Sequence, residues 1–498
     1  MFKINGKKLL IVLAIFLTME ILSAVGLSFP AVNQIIFGLL VLASLVLTFY
    51  SLEYGLLVIL AELFIGSLGH LFYLNIGGGQ LTIRIALWLV LMFVFSWRFL
   101  AQIIKSKGRS AYWLSLKSFP GKKFFGVLFL FILLGLINGL IRGQAPALIF
   151  ADFNAWLYFL LLLPLIVVYS DLNEGKAARL QIVFLAAVIW LGLKTLFLLF
   201  IFTHNSSWAP DIYYWLRKTL VGEMTPTTGG WPRIFIQGQI FSAIAFFLVF
   251  WSAVANFNFK EFFCRKNFWP LIAAALFLSS VLISFSRSFW VGLLVTLFFS
   301  LILVWRLYSF KKAITAAGWL AGAAVLGFLM IYLTVDFPYW RTHSGNLSSV
   351  FLERVKSDNE PALASRWSLL PILMKEIKKE PFFGQGYGAT VTYFSRDPRI
   401  LQNSPTGEYK TYAFEWGYLD IWLKLGIFGL LAYLFLLFKL LVTGLKAGFK
   451  YNNYIYFGLG AGLVFIAVTH TFTPYLNHPL GIGFLVVSSC LIWSDRVY

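Results

Sequence analysis

Apolar runs of roughly 18 or more residues, the length needed to cross hydrocarbon, recur along this chain. Composition agrees with that constraint. Of 498 residues, 60% are hydrophobic and only 12% charged, and mean hydropathy is +0.83. A soluble protein of this length exposes far more charge. The reading is an all-α, polytopic transmembrane helical bundle. About fourteen spans are expected, near 8–27, 31–50, 54–74, 81–104, 124–141, 149–169, 179–203, 234–255, 268–285, 288–305, 313–334, 416–438, 453–471 and 479–493. Lys3, Lys7 and Lys8 precede a first run of full membrane length, so that run reads as a span and not as a cleaved signal.

Charge orients the bundle. Twenty-two Lys and Arg fall on the side of the N-terminus, at 3–8, 98–123, 176–179, 260–266, 306–312, 439–450 and 496. The other short loops hold five: Arg142, Arg217, Lys218, Arg233 and Arg287. That asymmetry predicts N-in and C-in. It divides the chain into spans one to eleven at 1–334, a large extracytoplasmic loop at 335–415, and spans twelve to fourteen at 416–498. The net charge of +20 is explained by this bias and by attraction to anionic lipid, and no nucleic-acid partner is expected. Cys264 and Cys490 are far apart and imply no disulfide framework.

The outer loop is the one long stretch that lipid cannot hold. Within it, 364–380 places Trp367, Leu370, Leu373, Met374 and Ile377 at helical spacing. This predicts an amphipathic helix on the membrane surface or over a cavity, ended by Pro381. Gly384, Gly386 and Gly388 follow as a backbone turn or an anion nest.

Among the arginines predicted outside, Arg142, Arg233 and Arg287 sit at outer ends of spans and Arg366 begins the loop helix. Any one could simply snorkel to the headgroups. Arg287 differs, because it sits in a turn between two apolar spans, where a guanidinium needs an anion. Arginines converging on one cavity would suit a pyrophosphate, whose oxygens the planar fork binds in pairs. Among the acids, Glu415 stands before the helix start at Trp416–Leu419. It is either an interfacial capping acid or a general base for an attacking hydroxyl. Asp420 and Lys424 are four apart inside a span, spaced for an ion pair. Lys194 is an intramembrane charge whose partner the sequence does not name, and Asp152 could orient an arginine. The five histidines, His343 in the loop among them, form no ligand spacing, so neither a metal site nor a cofactor is expected.

Three stretches resemble the O-antigen ligase/O-antigen polymerase superfamily of bacterial envelope glycosyltransferases. Arg233–Gln239 (RIFIQGQ) is similar to the family's arginine-led entry to a span. Ser286–Arg287–Ser288–Phe289–Trp290 is similar to its Ser-Arg hairpin. Ser365–Arg366, the Pro381–Gly388 turn, Glu415–Leu419 and Leu425–Gly429 follow in the family's order. The family's His-Asn stands here as Glu415–Trp416. The resemblance implies metal-independent, inverting transfer of an undecaprenyl-pyrophosphate-linked oligosaccharide to an acceptor glycan hydroxyl, at the outer face of a bacterial cytoplasmic membrane. Arg233, Arg287 and Arg366 would hold the donor pyrophosphate and Glu415 would act as base or position the acceptor, with Asp152, Tyr418 and Asp420 in support. Polymerase, ligase onto lipid A-core and transfer to protein remain open, with the missing His favouring polymerase. A transporter of lipid-linked sugars is the non-enzyme alternative.

Overall fold

The computed structural model describes residues 5–77, 79–106, 110–227, 231–256, 265–337, 361–395, 398–402, 404 and 406–493. His343, Cys264 and the 338–360 part of the expected outer loop lie outside the described residues.

Helix starts follow from local chemistry. Side-chain oxygens of Asn5, Ser51, Thr82, Asn173, Ser309 and Asn453 accept hydrogen bonds from first-turn amides. Pro30 and Pro146 sit in first turns, where a missing N–H does no harm. Among the described residues, nine helices are long and apolar enough to cross a membrane. Four shorter apolar helices accompany them: Gln239–Asn256, Arg265–Ile283, Tyr454–His470 and Pro479–Trp493.

The third expected span, 54–74, is corrected. Its helix runs only from Leu52 to Ile65. Ser67 and Gly69 then take positive φ, and the chain enters a hairpin, Tyr73–Ile76 against Gly79–Thr82. A buried ion pair accounts for the break. Arg84 Nε meets Glu62 at 2.8 Å, and its other arm donates to the Ser67 carbonyl at 2.6 Å, using a backbone group that a continuing helix would consume. Two further hairpins, 223–235 and 391–411, also interrupt the all-helical expectation. All three lie in connections between apolar helices.

The Gln239–Asn256 helix is the centre of the bundle. Phe241, Phe246, Phe247, Phe250 and Trp251 are buried against the Glu174–Thr203, Arg265–Ile283 and Tyr454–His470 helices. Peripheral helices instead expose apolar side chains, such as Leu10, Ile35, Leu39 and Phe93. That suits a hydrocarbon surround, where all-round apolar helices are stable.

The expected amphipathic helix forms as Pro361–Lys379, and its apolar face packs on protein. Leu369, Leu373 and Ile377 pack with Val391, Tyr393, Phe414 and Leu423 in a second small core. Trp367, expected on the apolar face, is exposed at 56%. It lies edge-on to Trp416.

The glycine turn after that helix is built into the bundle. The Gly417–Tyr451 helix breaks at Gly426 (φ 72°, ψ 177°), which frees two carbonyls. Gln385 N donates to Leu423 O at 2.7 Å and Gly386 N to Lys424 O at 3.1 Å. Gly386 (φ +83°) also lies so close to the Lys122–Ile141 helix that a Cβ there would stand 2.1 Å from Gly139 N. Gly386→Ala should therefore cost at least about 2–4 kcal/mol, combining left-handed strain with overpacking. Thermal unfolding in detergent checks this, and an unchanged midpoint would refute the close packing.

Candidate active site

The arginine half of the site forms where a hairpin meets a helix turn. Arg233, on strand Pro232–Phe235, donates from Nε to the Ser284 carbonyl at 3.1 Å. Its guanidinium also lies 5.3 Å from the ring centre of Phe235, which packs on Phe289. Arg287 begins the Arg287–Leu307 helix immediately after this turn. Arg233 is thus held, across 51 positions, against the Ser284 end of the turn that Arg287 follows.

The second half is the Arg366–Glu415 pair. These side chains form a direct ion pair, with Arg366 33% and Glu415 52% exposed, so both face solvent. Trp416 is the N-cap of the Gly417–Tyr451 helix and makes no side-chain cap bond. Glu415 is thus turned to Arg366 and does not cap the helix. Trp416 Nε1 donates to the Arg366 carbonyl at 3.0 Å, fixing the loop helix to the span.

The segment 471–478 joins the two halves, and sequence reasoning missed it. Phe472 packs on Trp416 at 5.8 Å. Thr473 Oγ1 and Ser288 Oγ are 2.8 Å apart. Tyr475 packs on Phe289 and donates its hydroxyl to the Gln237 carbonyl at 3.2 Å. One connection between two apolar helices therefore touches Ser288 and Phe289 beside Arg287, Gln237 just after the Arg233 strand, and Trp416 at the helix start next to Glu415. A polar eight-residue loop closed by His478–Pro479 was the available signal.

Beneath the surface lies a buried ion cluster. Lys424 Nζ is 2.6 Å from Asp152 Oδ1 and 2.6 Å from Asp420 Oδ1, with side chains 2%, 8% and 2% exposed respectively. Asn477, on the same connecting segment, donates to Asp420. The spacing expectation for Asp420 and Lys424 is met. The expectation for Asp152 is corrected: it pairs with a lysine and not an arginine, and also accepts from Gly388 N at 3.0 Å. Tyr418 donates to the Ala467 carbonyl at 2.8 Å and stands edge-on to His470. Lys194, for which the sequence named no partner, pairs with Glu20 across two helices.

No curated protein matches the chain. Residues 272–434 match the family model described as O-antigen ligase. The matched segment takes in Arg287, Arg366, Glu415, Tyr418, Asp420 and Lys424 and leaves out Arg233 and Asp152. The match thus covers the Arg287 turn and the Arg366–Glu415 pair, and this part of the chain is similar to the O-antigen ligase family.

Proposed function

We propose that this multi-pass membrane protein transfers a glycan from undecaprenyl pyrophosphate to an acceptor sugar hydroxyl. The reaction takes place on the outer face of a bacterial cytoplasmic membrane, with both termini inside and 335–415 outside. The observation that carries this reading is the meeting of Arg233 with the Arg287 turn, joined through 471–478 to the Arg366–Glu415 pair.

The chemistry follows from the leaving group. As the acceptor oxygen bonds to the anomeric carbon on the opposite face, the bond from that carbon to the phosphate oxygen breaks. Its electron pair leaves with the pyrophosphate. Arg233 and Arg287 neutralise that growing charge from fixed positions, which stabilises the transition state without a metal. The acceptor hydroxyl gives its proton to Glu415, which Arg366 holds in place. Arg366 assists at the pyrophosphate when the donor arrives. Asp152, Asp420 and Tyr418 support the helix start and do not touch the reacting atoms.

Glu415 in place of a histidine favours extension of a polymer over ligation to lipid A-core. Purified protein given lipid-linked repeat units in detergent should form longer glycan. A transporter would form none, and added lipid A-core would separate ligase from polymerase. Glu415→Gln should lower kcat about 10²-fold or more, as loss of a general base does, with little change in thermal midpoint. A full-rate Glu415→Gln enzyme would remove the base assignment.

A further inference from the structure

The hairpin that carries Arg233 has a second face. Strand residues alternate, so Arg233 and Phe235 face the Ser284–Phe289 turn while their neighbours face the other way. On that other side Met224, Pro226 and Pro232 form one wall of an open cleft of about 350 Å³. Pro226 and Pro232 are directly opposed in the hairpin register. The facing wall comes from Phe202, Asn205, Ala209, Pro210 and Tyr213, at the end of the Glu174–Thr203 helix and on the short Ala209–Lys218 helix.

The walls say what fits. None of the lining residues is charged, so a phosphate or a carboxylate has no counter-charge here. Aliphatic side chains of the Leu, Ile or Val type, which would suit an acyl chain, do not line it either. Proline rings, a thioether, an aromatic face and an amide offer flat C–H surfaces with a few polar groups, the mixture that takes a neutral, hydroxyl-bearing ring. The volume lies at the low end for small-ligand clefts and is enough for one or two sugar units.

We propose that this cleft is a subsite for a neutral saccharide unit of the acceptor glycan, and this rests on the glycosyl-transfer reading above. The donor sugar is bonded to its pyrophosphate and must lie on the arginine face of the hairpin. The opposite face is left for the second glycan, and a strand one residue thick separates the two. The acceptor can reach over the hairpin edge to present its hydroxyl.

A simpler role for these aromatic residues is anchoring at the lipid headgroups. The neighbouring tyrosine separates the two ideas. Tyr214 is on the same helix and is 54% exposed, but it does not line the cleft. The probe is the repeat-unit oligosaccharide released by mild acid from the lipid-linked glycan of the producing cell. Its binding to protein in nanodiscs is followed by saturation-transfer NMR, and its KM as acceptor is measured at fixed donor. Tyr213→Ala should weaken both by about three- to tenfold, the range of one lost aromatic contact. The donor KM and kcat should stay within twofold, and Tyr214→Ala should change neither. Ala209→Trp, which fills the cleft, should act like Tyr213→Ala. Oligosaccharide binding that is lost in Tyr213→Ala, in a protein that transfers nothing, would support the subsite and overturn the transferase reading. Transfer with an unmoved acceptor KM, or equal effects of Tyr213→Ala and Tyr214→Ala, would overturn the subsite.

Discussion

Arg287→Ala is expected to lower glycan transfer about 10²- to 10³-fold, the usual loss when one preorganised charge-stabilising donor is removed. The effect should fall on kcat more than on donor KM, because charge on the leaving pyrophosphate grows toward the transition state. Arg233→Ala should follow the same pattern. The two effects should combine to less than their product, since both side chains serve one turn: Arg233 already holds the Ser284 carbonyl at its start. Arg287→Lys should recover only part of the rate, because an ammonium keeps the charge and loses the fork. The measurement is initial-rate transfer with purified variants of normal thermal midpoint. Wild-type rates in both alanine variants would rule out a pyrophosphate role for this turn.

Lys424→Met is expected to be the most destabilising single change considered, by about 3–5 kcal/mol, since it strands two buried carboxylates without a cation. Asp152 and Asp420 are both 2.6 Å from the ammonium, and their side chains are only 8% and 2% exposed. The expected sign of rescue is specific. Asp420→Asn in the Lys424→Met background should regain stability, because it removes one of the two stranded charges. Asp420→Asn alone should be milder than Lys424→Met, because the ammonium keeps Asp152. Thermal or denaturant unfolding of the single and double variants completes the cycle. An additive double variant would show that these groups are not coupled.

What the sequence made legible was local. Apolar runs, the amphipathic helix ended by Pro381, the glycine turn and the four-residue spacing of Asp420 and Lys424 each express a rule that operates within a few residues. Pairings between distant parts of the chain escaped. Glu20 meets Lys194 and Asp152 meets Lys424 across separations of 174 and 272 residues, which no periodicity encodes. The third span failed for a related reason. Its apolar run looks continuous, and only Arg84, on the next helix, reveals why the helix stops at Ile65. The two arginines and the Arg366–Glu415 pair were readable as residues through family resemblance. The 471–478 segment that unites them was not, because its residues are ordinary until their neighbours are known.

The stitching of Gly384–Gly388 bears on the order in which the protein can be made. Its backbone contacts draw on Gly135 and Gly139, synthesised long before it, and on the Leu423 and Lys424 carbonyls, synthesised after it. Membrane chains emerge N-terminus first. The 384–388 segment can therefore complete its backbone bonds only once the Gly417–Tyr451 helix has entered and broken at Gly426. The contacts of 471–478 with Trp416, Ser288 and Gln237 form later still. A nascent chain arrested before residue 471 should hold a docked 384–388 segment and lack those contacts, which protease protection of arrested chains would read.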